Sequence, residues 1–382
     1  MTTSMNTSLD TMRYDNVGSL LRPQALKDAF AKHGEGPLSL EGLRAAQDVA
    51  IRDVIARQEE LGLPVVTDGE FRRWGFQDSF GEAVSGFDSS PQSYRPNASG
   101  ARPGQRNESG PSGRGPAVAH RLPAKERLKL VRNLVLDEFV TANSMAHTPV
   151  KVTLIGPDRI SQRFEWESSQ SVYADMDAFM ADVVAIERQM IQEVVNAGCR
   201  YVHIDAPGYT AYVDPPILER MKARGEDPMR NMERSIAADN AIIAGFPGVT
   251  FGIHICRGNG PGWHREGHYD AIAEPLFTGL HHERLLLEYD TDRAGTFEPL
   301  RFVPKGKMAV LGLVSTKVQD VESADSLKRR IDEAAKFLPL DQLALSPQCG
   351  FASGLGGNLT DDSYQWDKLK VIMQVVREVW GE

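Results

Sequence analysis

Three cysteines among 382 residues are too few and too scattered for a disulfide scaffold. No apolar run approaches the ~18 residues that a membrane-spanning helix needs, and the polar start, MTTSMNTSLDTMRYDN, lacks the apolar core of a secretory signal. Basic residues are not in excess. The 43 Lys and Arg stand against 52 Asp and Glu, a net charge of −9, which argues against general nucleic-acid binding. We therefore expect a cytoplasmic protein with no membrane or nucleic-acid partner.

The sequence does contain a series of short apolar, β-branched runs separated by longer stretches of helical period. Most of these runs are continuous rather than alternating, which is typical of strands buried on both faces of a parallel sheet. Eight runs lie at 14–19, 63–70, 149–157, 200–207, 249–256, 284–290, 308–316 and 342–349. Strand–helix alternation over eight repeats predicts an α/β fold, a TIM-type (β/α)8 barrel. The main alternative, a doubly wound sheet, lacks a G-x-G-x-x-G motif after an early strand.

The stretches between the runs predict helices at 41–61, 124–146, 174–197, 232–244, 323–337 and 361–380. Residues 86–122 break the pattern, because they are rich in Gly, Pro, Ser, Asn and Arg and almost free of large aliphatic residues. Such a segment cannot bury enough apolar surface to become ordered, so we expect a flexible insertion after strand 2. The alternative is an arm that grips an anionic substrate or a neighbouring subunit. We expect a flexible N-terminus over 1–13 and a single domain over 14–382.

Functional groups of such a barrel gather where strands end, and several runs here end in metal-binding residue types. His254 and Cys256, two apart on one strand, point to the same side. Glu288 ends the next strand and Cys349 ends the eighth. A histidine, a carboxylate and two thiols are ligands that zinc accepts. Two alternatives stay open: the thiols as small buried hydrophobic residues, and His264 and His268 as a competing H-x3-H pair.

The segments VGSL, TDGEFRR, HIDAPGY, GIHICRGN, LLLEYDT, LGLVSTK and SPQCGF resemble, in this order, motifs of the cobalamin-independent methionine synthase family. The resemblance is to the C-terminal catalytic barrel, in its single-barrel short form, and it runs from about Tyr14 to Gly356. It implies a TIM-type barrel with a zinc site, and the matching residues are His254, Cys256, Glu288 and Cys349.

The same resemblance implies which residues bind homocysteine. Gly18 and Ser19 would meet its carboxylate, and Glu70 and Asp205 would pair with its ammonium group. Two carboxylates can face one amino group because the cation offsets their repulsion. The alternative for Glu70 is a salt bridge to Arg72 or Arg73. Glu70, Asp205 and Glu288 are the residues expected to act in catalysis.

The sequence departs from the family pattern at two places. Synthases follow the aspartate of the fourth strand with Glu-Pro-Ala, where this chain has Ala206, Pro207 and Gly208. They carry His-Ser on the seventh strand, where this chain has Val314 and Ser315, and we expect Ser315 to contact substrate. The thiol-activating half of the site therefore matches better than the half that holds the alkyl donor.

The resemblance implies a zinc-dependent methyltransferase of methionine biosynthesis. It would activate a small thiol, homocysteine or a similar one, as a zinc thiolate that attacks a methyl donor. The donor would be a methylfolate or a methylated corrinoid protein, and the sequence leaves a homo-oligomer open. One alternative is an epoxyalkane:coenzyme M transferase-type lyase, in which a zinc thiolate opens an epoxide, although coenzyme M has no ammonium group for the two carboxylates. Another is a non-catalytic, zinc-stabilised barrel.

Overall fold

A computed structural model describes residues 9, 11–88, 123–259, 265–357 and 362–381. Its strands are β1 (Val84–Phe87), β2 (Ala124–Leu130), β3 (Lys151–Ile155), β4 (Tyr201–Asp205), β5 (Thr250–Ile255), β6 (Arg284–Glu288), β7 (Met308–Val314) and β8 (Leu343–Pro347). Its α-helices are α1 (Gln24–Glu35), α2 (Leu40–Glu60), α3 (Asp78–Gly81), α4 (Leu134–Asn143), α5 (Pro157–Gln162), α6 (Met176–Asn196), α7 (Pro215–Ala223), α8 (Pro228–Ile243), α9 (Ala273–Gly279), α10 (Ala324–Ala334) and α11 (Asp362–Trp380). Among the described residues, no helix combines the length and apolarity needed to cross a lipid bilayer.

Strands β3 to β8 form one parallel sheet in chain order, so each strand pairs with the next one along the sequence. Every residue of β3, β6, β7 and β8 is buried. Burial on both faces explains why these runs are continuously apolar in sequence. An α-helix lies in each connection between successive strands of this sheet, as is usual for βαβ crossovers, except between β6 and β7, where two 3-10 turns, Asp292–Ala294 and Glu298–Phe302, take its place.

The first two apolar runs complete the ring through short contacts rather than ladders. Tyr14 forms a parallel bridge with Leu345 of β8, and Val66 forms one with Val150, next to β3. The two runs also meet each other, since the Thr67 hydroxyl donates to the Gly18 carbonyl at 2.7 Å. Eight segments therefore surround one axis, and the predicted TIM-type (β/α)8 barrel is confirmed.

The second run stays short because a side chain takes its backbone hydrogen bonds. The buried Gln58 amide on α2 accepts from the Thr67 N–H at 3.1 Å and donates to the Thr67 carbonyl at 2.8 Å. Backbone groups satisfied in this way are not available to a neighbouring strand. The predicted extended strand over 63–70 is therefore reduced to the bridge at Val66.

The predicted helix over 124–146 is partly wrong. Residues 124–130 form β2, which pairs antiparallel with β1, and only Leu134–Asn143 is helical. Ala124 and Leu128 are the buried residues of β2, and a spacing of four suits one face of a helix as well as one face of a strand. The other five predicted helices are confirmed by α2, α6, α8, α10 and α11.

The predicted insertion over 86–122 begins inside β1, so its start has to be moved beyond Phe87. Residues 89–122 lie outside the described part of the chain. Most of the predicted flexible N-terminus also lies outside it. Met12, however, is fully buried in the core, so the boundary of that segment comes before residue 12.

A buried ionic network lies at the amino-terminal ends of the barrel strands. Asp15 binds Lys151 Nζ and Arg284 Nε, both at 2.8 Å, and accepts a hydrogen bond from the Tyr201 hydroxyl at 2.6 Å. All four residues are inaccessible to solvent. Burial alone would raise the pKa of Asp15, but Lys151 and Arg284 hold it below its usual value. The network fastens the first segment to β3, β4 and β6, which leaves the carboxyl-terminal ends of the strands for the site.

Candidate metal centre

Three of the four predicted metal ligands meet at the carboxyl-terminal end of the barrel. His254 lies on β5, Cys256 follows that strand directly, and Cys349 follows β8. One ligand atom from each lies within 4.8 Å of the others, and all three residues are buried. Cys199 lies at the α6–β4 junction and is separate from this group.

The hydrogen bonding of His254 leaves one ring nitrogen available to a metal. Nδ1 lies 3.2 Å from the Leu286 carbonyl, which can only accept, so Nδ1 carries the proton. Nε2 is buried and has no hydrogen-bond partner. A carbonyl that accepts from one nitrogen and leaves the other without a protein partner is the usual arrangement of a metal-binding histidine.

The electrostatics of the two thiols favour a cation. A hydrogen bond from Cys349 and the charge of His254 hold the pKa of Cys256 well below that of a free thiol, despite burial. The bond to Cys256 and burial raise the pKa of Cys349 well above it. Burial alone would lower the pKa of His254, but the charge of Cys256 raises it to about 8. The pair thus carries one negative charge by itself, and a divalent cation would allow both thiols to ionise.

Glu288, the fourth predicted ligand, is held outside this group of three. Its Oε1 lies 2.7 Å from Lys317 Nζ, and its Oε2 accepts the Arg257 backbone N–H at 2.6 Å. Burial raises the pKa of Glu288 to about 7, although Lys317 acts in the opposite direction. Lys317 also lies 3.5 Å from Asp290. Sequence reasoning missed Lys317, although it is the last residue of the quoted LGLVSTK segment.

Glu70 has one carboxylate oxygen occupied and one unoccupied. Its Oε1 accepts from the Thr153 hydroxyl at 2.8 Å, whereas the buried Oε2 has no partner. The alternative interpretation, a salt bridge from Glu70 to Arg72 or Arg73, is met only by one long contact to Arg73. Arg73 lies 3.7 Å away but binds Glu138 through two nitrogens, and Arg72 instead pairs with Asp48. With φ at +60°, Glu70 is the only non-glycine residue of positive φ in the described ranges, a strain that is common at functional sites.

Asp205 lies beside His254 in the register of β4 and β5. Its Oδ1 is buried without a partner, and burial raises the pKa of Asp205 to about 7. The charges of His254, Cys256 and Glu70 all act on this carboxyl group. The second predicted ammonium-binding residue is therefore next to the metal ligands.

Gly18 and Ser19 connect the first segment to the same region. A Cβ at Gly18 would lie 2.6 Å from Thr153 Cγ2 and 3.3 Å from Glu70 Oε1, so only glycine fits there. The Ser19 carbonyl accepts the Phe351 N–H at 2.9 Å, which links it to the loop that carries Cys349.

The remaining candidates contribute less to the centre. The Ser315 hydroxyl accepts the Lys317 N–H at 3.3 Å, so it is engaged in its own turn. His268 is exposed, and His264 lies outside the described residues.

Comparison with known proteins gives the family, although no family model matches the chain. Two Bacillus subtilis proteins, YxjH and YxjG, are 36% and 35% identical over 96% of this chain and 94% of their own length. The methionine synthase of Saccharolobus solfataricus is 25% identical over 87% of this chain and 86% of its own length. A Listeria monocytogenes structure titled putative vitamin-B12 independent methionine synthase superposes with a TM-score of 0.72. It is 26% identical and covers 97% of this chain and 98% of its own. The chain belongs to the cobalamin-independent methionine synthase family.

One departure from the pattern of methionine synthases has a structural reason here. In the loop after β4, a Cβ at Gly208 would overlap Asp158 Oδ2. The alanine that synthases carry at this place therefore cannot be accommodated unless Asp158 moves. Within the family fold, this loop has its own packing, and it lies on the side where the alkyl donor was in doubt from the sequence.

Proposed function

We propose that this methionine-synthase-like protein is a zinc-dependent thiol methyltransferase whose acceptor is homocysteine or a closely similar amino-acid thiol. The observation that carries the proposal is the group formed by His254, Cys256 and Cys349, next to two carboxylates that each have one buried oxygen without a hydrogen-bond partner. Neither half is expected in a barrel that only needs to fold, because buried polar atoms without partners reduce stability.

The donor atoms fit zinc. One imidazole nitrogen and two thiols are ligands that favour zinc over calcium or magnesium, which take oxygen. A cation would give the unpartnered His254 Nε2 a ligand to bind and would allow both thiols to ionise. A zinc ion bound here would keep an incoming thiol in its nucleophilic thiolate form at neutral pH.

Glu288 is proposed as the exchangeable fourth ligand. Lys317 and the Arg257 amide together satisfy both of its oxygens outside the group of three. A carboxylate with such a second position can leave without becoming an unpaired buried charge. We propose that it takes this position when the acceptor thiol is bound.

The acceptor is proposed to be an amino-acid thiol because of what Glu70 and Asp205 lack. Glu70 Oε2 and Asp205 Oδ1 are buried acceptors without donors, and an ammonium group offers three N–H donors and a positive charge. Binding an ammonium group would also lower the raised pKa of Asp205, which keeps that carboxylate ionised. Gly18 and Ser19 are proposed to hold the carboxylate of the same substrate, and Ser315 to lie toward the methyl donor.

Zinc-edge X-ray absorption, with and without homocysteine or coenzyme M, tests the proposal. We expect two sulfur ligands in the resting protein and a third one after homocysteine is added, with no change on adding coenzyme M. A third sulfur with coenzyme M alone would favour the epoxide-opening alternative. A zinc site that ignores both thiols would favour the non-catalytic barrel.

A further inference from the structure

Three buried arginines lie beside the proposed metal centre and take no part in it. Arg159 is on α5, Arg257 follows Cys256, and Arg265 begins the next described segment; their exposed fractions are 9%, 4% and 5%. Each has guanidinium N–H groups that are buried without a hydrogen-bond partner. These are Nε of Arg159 and Arg265, and Nε and Nη1 of Arg257. A buried guanidinium normally has its donors satisfied.

Backbone contacts hold two of the arginines against each other and against the metal-binding loop. The Arg265 N–H donates to the Arg257 carbonyl at 2.7 Å, and Arg257 Nη2 donates to the Arg265 carbonyl at 2.6 Å. Arg265 Nη1 donates to the Thr210 hydroxyl at 3.0 Å, which in turn donates to the Cys256 carbonyl at 2.7 Å. Arg257 and Arg265 are therefore fixed to the loops after β4 and β5.

Carboxylates act on this cluster only without direct contact: Asp158 and Asp214 influence the charge of Arg265, and Asp158 that of Arg159. Among the residues that the structure describes, none of the three arginines forms an ion pair with an acid. Asp158, the acid nearest in sequence to Arg159, accepts hydrogen bonds from the Tyr212 hydroxyl at 2.9 Å and from Gln162 at 3.2 Å instead. Burial raises the pKa of Asp158, which reduces its charge further.

The arginines also repel one another. Burial lowers the pKa of Arg159 well below its usual value, and the charges of Arg265 and Arg163 lower it further. Clustered, desolvated cations with free N–H donors are stabilised most directly by an anion with several oxygens.

We propose that Arg159, Arg257 and Arg265 form an oxyanion-binding site that receives a phosphate, carboxylate or sulfonate group of the alkyl donor. This proposal rests on the proposed function, because it names the chemical class of the second substrate of that reaction, the alkyl donor. Its position fits a donor rather than the acceptor. Of the acceptor residues, Ser19 and Glu70 belong to the first two segments of the ring, and only Asp205, at the end of β4, lies between the loops after β3 and β5 that carry the arginines.

Calorimetric titration with inorganic phosphate, at an ionic strength kept constant with chloride, tests the site directly. We expect saturable binding to the wild-type protein and roughly tenfold weaker binding to Arg159→Gln, the loss of about one charge-assisted contact. Arg159 is chosen because Arg257 and Arg265 also hold the loops together. Arg52→Gln is the matched control, since Arg52 is exposed on α2 and the substitution removes the same charge. The proposal is overturned if the wild-type protein shows no saturable binding, a result that needs no variant, or if both variants bind phosphate equally.

A second titration determines whether the arginines bind an anionic group of the alkyl donor or of the acceptor thiol. We expect saturating homocysteine, added to the zinc-loaded protein, to leave the phosphate Kd unchanged, because the two ligands occupy different places. Competition between them would assign the arginines to the acceptor and overturn the donor assignment. If homocysteine does not bind at all, the proposed function fails, while the comparison of Arg159→Gln with Arg52→Gln still decides the anion site.

Discussion

Replacing Lys317 by methionine would remove the cation that holds Glu288 away from the three clustered ligands. Methionine keeps most of the length and apolar surface of lysine and loses the ammonium group. In the zinc-free protein, Glu288 would then keep only the Arg257 amide, and Asp290 would lose its cation at 3.5 Å. If Glu288 binds zinc in the loaded protein, the substitution costs little there. We therefore expect the zinc-free form to be destabilised and the loaded form to change little.

The size of the effect follows from the contact that is lost. A charge-assisted hydrogen bond contributes about 1.5–3 kcal/mol. The Lys317 side chain is 18% exposed, so water replaces part of the contact, and the lower end applies. Because zinc affinity depends on the difference between the two forms, destabilising only the zinc-free form by about 1.4 kcal/mol strengthens zinc binding about tenfold.

Two measurements check this prediction. Competition with a chromophoric chelator gives the zinc Kd, and thermal unfolding with and without zinc gives the stability of each form. Lys305→Met is the control, because Lys305 is exposed and loses the same charge. Equal destabilisation of both forms, or weaker zinc binding, would mean that Glu288 stays with Lys317 when zinc is present, and Glu288 would then not be a ligand.

Three further changes probe other parts of the molecule. Cys349→Ser should lower zinc content and methyl transfer together while circular dichroism shows a folded barrel. If the variant keeps both its zinc and its methyl transfer, Cys349 is not a zinc ligand. Glu70→Gln should weaken homocysteine binding about tenfold or more but leave 3-mercaptopropionate, which has no amine, nearly unaffected; equal losses in calorimetry would exclude Glu70 as the ammonium partner. Glu187 is buried with both oxygens unpartnered, and burial, then Asp239, raises its pKa well above 4.5. Its stability contribution is complete below pH 4.5 and is lost as pH rises toward the folded pKa. Glu187→Gln should therefore flatten the decline of stability above pH 4.5 in urea unfolding, and parallel pH profiles for the two proteins would contradict this.

The sequence predicted the barrel well where chain order and apolar content decide the outcome. Six continuous apolar runs became the six ladder strands, because burial on both faces selects for them directly. The antiparallel pair of β1 and β2 was missed because the two strands are far apart in sequence. In addition, the Ala, Lys, Glu, Arg and Leu residues of β2 all favour helix. A tertiary pairing overrode the local preference there.

The candidate site was predictable to the level of strand ends but not of side-chain partners. The rule that functional groups follow strands placed His254 and Cys349 at the same end of the barrel. It does not say whether the Glu288 carboxylate turns toward the thiols or toward Lys317, since that depends on competition between charges a few ångströms apart. The buried arginine cluster was missed for the same reason, because nothing in the sequence distinguishes Arg159 and Arg265 from surface arginines until the fold removes them from water.

The bridge between Tyr14 and Leu345 also determines when the barrel can close during synthesis. The first segment of the barrel is synthesised long before its sheet partner Leu345, and the Asp15 network depends on Arg284 as well. Until β8 is synthesised, the growing sheet therefore presents an open edge, and the buried charges of its amino-terminal end lack their full set of partners. Open edges are the places where strands pair with other chains. We therefore expect association of partly made chains through this edge to compete with closure of the barrel.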